Sequence, residues 1–114
     1  MEIRRLLHDI EYNEHKPAIK VLIDNDYTKE IRIAFKHFQH MKEHKTAFPI
    51  AVQIVTGCIE FGVAGTPHKL NTGDLITLPA DIPHDLIALE DSIVRLTLHK
   101  GDSLDRVKKV IHNS

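Results

Sequence analysis

The chain carries a single cysteine, Cys58, and no tryptophan. One thiol excludes an internal disulfide framework and any zinc site built from several cysteines. Glycine is scarce, with five in 114 residues and none before Gly57. No apolar run approaches the ~20 residues that a membrane-spanning helix needs. Neither sign of charge dominates: 15 Lys and Arg stand against 16 Asp and Glu, a formal net charge of −1. That balance gives no field to draw nucleic acid or an acidic membrane, so neither is an expected partner. The first residues include Glu2, His8, Asp9 and Glu11 among the apolar ones. They do not read as a signal peptide, and the expected location is cytoplasmic.

What is abundant is histidine: His8, His15, His37, His40, His44, His68, His84, His99 and His112, nine in all. Histidine is the commonest metal ligand and titrates near neutral pH. Three of the nine, His37, His40 and His44, fall within eight residues.

At 114 residues a single domain is expected, with its core over residues 18–100, an N-terminal arm over 1–17 and a C-terminal helix over 102–114. Ile3, Leu6, Leu7 and Ile10 have helical spacing, although an extended arm fits the same stretch. Leu104, Val107, Val110 and Ile111 have helical spacing after a capping Asp102 or Ser103. Between the termini the pattern changes. Ala18 to Asp24 is β-rich, and Ile31, Ile33 and Phe35 alternate with polar or small residues. Pro49–Thr56, Cys58–Val63, Leu75–Leu78, Asp85–Leu89 and Ser92–His99 read as further strands, separated by Gly57, Ala64–Pro67, Asn71–Asp74 and Pro79–Pro83. No stretch offers the crossover helix of a parallel sheet, so an all-β barrel or sandwich is expected.

Two stretches carry a resemblance. The first runs from His40-Met41-Lys42-Glu43-His44 through Pro49–Thr56 and Gly57 to Phe61. The second is Gly73-Asp74-Leu75-Ile76-Thr77-Leu78-Pro79-Ala80-Asp81-Ile82-Pro83-His84, in which Gly73, Pro79 and His84 have the spacing glycine, five residues, proline, then histidine five further on. Together they resemble the two motifs of the cupins, the small double-stranded β-helix or RmlC-like jelly roll. The resemblance implies that fold, with short helical or extended terminal segments, and a homodimer. Departures are specific. The first motif's two histidines, one residue apart, fall near Glu43 and Lys45, with His44 between them. Its glutamate, seven residues before the closing glycine, is Ile50, and the second motif's glycine after the proline is Asp81.

In a cupin the histidines of both motifs hold one divalent metal at the mouth of the barrel. Carried onto this chain, the expected ligands are His44 and His84, with Fe, Mn, Ni or Zn as the metal. A catalytic metal commonly has three protein ligands. His40 is the first choice for the third, ahead of His37 and of Gln53, whose strand parity with Ile50, Val52 and Ile54 turns it outward unless a bulge intervenes. Ile50, Val52, Ile54, Phe61 and Leu78, with Gln53 as the polar exception, are the expected pocket-lining residues. Such an apolar pocket suits a small organic ligand. His99 shares a polar strand face with Arg95 and Thr97, and Cys58 reads as an ordinary small strand residue rather than a nucleophile. Three functions compete: a metal-dependent enzyme of oxygenase or isomerase type, a metal-free degenerate cupin acting as a sensor or accessory protein, and a barrel that serves mainly to dimerise.

Overall fold

A computed structural model describes residues 1–100. The helix expected over 102–114 lies outside them. Among the described residues nine strands follow one another: β1 (Ala18–Asp24), β2 (Thr28–Phe35), β3 (His40–His44), β4 (Ile50–Thr56), β5 (Cys58–Val63), β6 (Thr66–Asn71), β7 (Leu75–Leu78), β8 (His84–Ala88) and β9 (Ser92–His99). They form two sheets, a five-stranded one ordered β1-β2-β9-β4-β7 and a four-stranded one ordered β3-β8-β5-β6. Every pairing is antiparallel.

The alternation seen in the sequence becomes two inner faces. Ile31, Ile33 and Phe35 from β2, Ile50, Val52 and Ile54 from β4, and Val94 from β9 meet Ile59 and Phe61 from β5 and Leu86 and Ala88 from β8 in one buried cluster. Side chains two apart on a strand share a face, so one register commits each strand to the core. The register holds together neatly at β4, where Val52 lies opposite Ile76 on one side and Leu96 on the other. Two strands escape the sequence reading. Both β3 and β6 are short and mostly exposed, with burial carried by Met41, His44 and Leu70. Neither has the apolar alternation that marks a half-buried strand.

The five-stranded sheet outreaches its partner. Ile19 and Val21 pair with Ile33 and Ile31 and share their inward face, yet remain 61% and 45% exposed at the β1 edge. The N-terminal arm crosses the other face of this sheet and forms no helix. Arg32 explains why. Its Nη1 donates to the carbonyls of Leu6 (3.3 Å) and His8 (2.8 Å), and its Nη2 to that of Asp9 (3.3 Å). Asp9 turns the chain at φ +53°. Carbonyls that a helix would satisfy internally are instead taken by one guanidinium, and the extended alternative prevails.

Candidate functional site

His84 opens β8 on its inward face, two residues ahead of Leu86 and four ahead of Ala88. It pairs with Val63 of β5 on one side and with His44 of β3 on the other. The two imidazoles meet edge to face with ring centroids 4.3 Å apart. Phe61 lies parallel to His84 at 5.7 Å and 4°, so the pair stands at the end of the apolar core.

A bulge brings His44 there. In β3, Met41 pairs with Leu86 and packs on the core, while the register shifts between Met41 and His44. Plain alternation would turn His44 away from the face Met41 occupies, three residues earlier. One extra residue reverses that and aims the ring inward.

His40 is not brought to the pair. It lies opposite Ile87, on the outward parity of β8, and its Nε2 is 3.0 Å from Oδ2 of Asp85. Gly62, in register with Asp85, leaves the space this carboxylate fills; a Cβ there would collide with Asp85 Oδ1. The expected third ligand is therefore an outer-face residue, paired with the Asp85 carboxylate. Among the described residues no group of three His, Cys, Asp or Glu gathers in metal-binding geometry. His37 stacks on Phe38 at an exposed turn, with centroids 3.7 Å apart. Gln53 faces outward, beside Glu30, Arg95, Thr97 and His99. That corrects its placement among pocket-lining residues and agrees with its strand parity. Ile50, Val52, Ile54, Phe61 and Leu78 do face inward, but as members of the packed core, each no more than 8% exposed. Cys58 is buried too.

The two rings are held alike. Nδ1 of His84 is 2.9 Å from the carbonyl of Ile82, and Nδ1 of His44 is 2.8 Å from that of Lys42. A carbonyl only accepts, so each Nδ1 donates, and in the neutral ring this contact selects the tautomer whose Nε2 keeps its lone pair. Nitrogen ligands of metals are commonly fixed this way by a carbonyl behind the ring. Two adjacent loops support the arrangement: Asp81 N donates to the carbonyl of Thr46 at 2.8 Å, and Ala64 N to that of Pro83 at 2.9 Å. Asp81 sits at φ +65°, a left-handed conformation that aspartate tolerates better than most residues. The backbone that a glycine would adopt at this position is thus kept without the glycine.

His84 is 2% exposed. Burial holds its pKa below the ordinary imidazole value of 6.5; the Ile82 carbonyl opposes this, the neighbouring His44 reinforces it and Asp85 opposes it. The unfolded chain therefore takes up a proton here before the folded one does. Stability from neutral His84 is fully present above about pH 6.5 and is lost as pH falls through the lower folded pKa. In urea titrations of metal-stripped protein, wild type is expected to lose its advantage over His84→Gln as the buffer moves from pH 7.5 to 5. A gap that stays constant over that range removes the account.

No family model matches the chain, and no curated protein sequence does. Solved structures do. An RmlC-like cupin from Desulfovibrio desulfuricans superposes with a TM-score of 0.82 at 19% identity, covering 88% of this chain and 97% of that one. A protein with a double-stranded β-helix domain from Klebsiella pneumoniae gives 0.80 at 14% identity, covering 90% and 92%. A cupin 2 conserved barrel domain protein from Leptotrichia buccalis gives 0.72 at 27% identity, covering 80% of this chain and 44% of that one. The protein has the cupin fold, a double-stranded β-helix of two antiparallel sheets. Its matches define an architecture that hosts many unrelated activities, so function rests on the site itself.

Proposed function

We propose that this is a small-ligand-binding cupin whose working site is the histidine pair at the end of the core, with His44 and His84 as two nitrogen ligands of a divalent transition metal. One observation carries the reading: the two rings meet at a common corner of the barrel, each with its Nδ1 engaged by a backbone carbonyl, which leaves Nε2 as the nitrogen available to a metal. Iron, manganese, nickel and zinc all accept imidazole nitrogen. When bound, such a metal supplies Lewis acidity or a centre for oxygen chemistry. With two protein ligands, more of its coordination positions stay free for water and substrate than in a three-ligand site. Phe61 and the apolar core behind it favour a small organic ligand with an apolar part. An oxygenase or isomerase type of reaction belongs to this reading. The homodimer expected from the resemblance also belongs to it, with Ile19 and Val21 as exposed apolar surface at the β1 edge; light scattering at micromolar concentration tests that.

A second reading has its own support. Ile50 stands where the resembled motif has a carboxylate, and it is 2% exposed within the core. A metal-free barrel that binds a small ligand as a sensor or accessory protein fits that residue better. Elemental analysis of untagged protein separates the two. About one transition metal per chain, lost in His84→Ala, is the expected result. No uptake after incubation with Fe, Mn, Ni and Zn leaves the metal-free barrel.

A further inference from the structure

The strongest unassigned feature lies on the other sheet from the histidine pair, where the N-terminal arm crosses the outer face of β1 and β2. A cavity of about 280 Å³ opens there, and Arg4, Arg5, His8, Lys20 and Arg32 line it together with one carboxylate, Asp9. Four permanent cations against one anion is a marked local excess in a chain whose net charge is −1.

Two features make this more than a solvated basic surface. Lys20 and Arg32 are direct partners in the β1–β2 register. Like charges placed opposite one another across antiparallel strands repel and destabilise the pair. Arg32 is also only 4% exposed, and its hydrogen bonds run to the carbonyls of Leu6, His8 and Asp9. Among the described residues no ion pair includes Arg32, Arg5 or Lys20, while Arg4 lies 3.5 Å from Glu2. Three backbone carbonyls satisfy the hydrogen bonds of Arg32, but they leave its full charge without a counter-charge, and a charge held out of water is costly unless it is paired as well as hydrogen-bonded.

We infer that this cavity is a binding site for a small polyanion of the phosphate or diphosphate class, seated between the arm and the β1–β2 surface. The anion lies over the Lys20–Arg32 pair and draws Arg5 onto it. Charge-assisted hydrogen bonds from guanidinium groups suit phosphate oxygens in geometry as well as charge. The cavity opens to solvent and has room for such a group with some of its hydration. Asp9, whose carbonyl Arg32 holds, sets a limit on the anion's approach from the arm side.

Inorganic pyrophosphate is the probe, titrated calorimetrically into the full chain at low and at physiological salt. Saturable binding at one site is expected, weakened several-fold by the added salt. Arg5→Ala and Lys20→Ala each weaken it about tenfold or more, and the double variant abolishes it. Both side chains lie outside the core, so folding is retained, which circular dichroism checks. Asp9→Asn, by removing the opposing carboxylate, strengthens binding. Absence of saturable binding at low salt overturns the inference, as does binding that survives the double variant. Attachment to vesicles containing phosphatidylserine without binding of free pyrophosphate also overturns it, and makes the arm a membrane contact instead.

Discussion

Gly57→Ala is expected to cost roughly 3–5 kcal/mol of folding free energy, a large share of what a small domain possesses. Two separate penalties combine. Gly57 links β4 to β5 at φ +106°, a conformation open to glycine and strained for a residue with a Cβ. The added carbon would also lie 2.6 Å from Ser92 Cβ and 2.7 Å from the Asp91 carbonyl oxygen, and closer still to Ser92 Oγ. The obstacle is partly backbone, so it cannot swing aside. Nor is Ser92 free to move. It is fully buried, and its hydroxyl accepts from Cys58 N at 3.0 Å and lies 2.8 Å from the carbonyl of Glu90. Displacing it leaves the Cys58 N–H, in a buried setting, without a partner. Thr72 holds the same turn from the other side, its hydroxyl accepting from Gly57 N at 2.9 Å. Chemical denaturation reads the loss directly. A midpoint close to wild type would show that the β4–β5 turn relaxes without strain.

The same turn shows how much of the fold was legible. Gly57, Ala64-Gly65, Gly73 and the Pro79–Pro83 loop mark strand ends in the sequence, and the structure ends strands beside each of them. Strands with strong apolar alternation, such as β2 and β4, need only the period of two to be found. The histidine-rich segment hides β3 because its strand character comes from pairing with β8 and not from its own side chains. The site was half legible for a related reason. His84 lies on the parity of Leu86 and Ala88, so its inward aim follows from alternation alone. The aim of His44 depends on a bulge, which has no signature in Met41-Lys42-Glu43-His44. His40 was misplaced because proximity in sequence does not reveal that the face it occupies is the outer one. The N-terminal arm was ambiguous because the deciding partner, Arg32, is more than twenty residues away along the chain.

Separating His40 from the inward pair gives the second large effect. Removing His44 is expected to lower affinity for a divalent transition metal at least about 100-fold, and removing His84 to do the same, while His40→Ala changes it less than about threefold. Geometry sets the contrast. In a site with only two protein nitrogens, deleting one leaves a single imidazole, which competes poorly with water. His40 sits across the sheet with Asp85, and its loss empties an outer-face contact that is 44% exposed on the histidine side. Exposed pairs of this kind contribute little to stability, so His40→Ala is a fair folding control as well. Competition titrations with Zn²⁺ or Ni²⁺ at one fixed pH above about 7 give the three affinities. Equal losses in all three variants would mean that the bulge in β3 moves and that His40 reaches the inner face in the metal-bound form. No loss in any would place whatever metal binds away from this corner of the barrel, and would leave the Ile50-lined, metal-free interior as the reading to pursue.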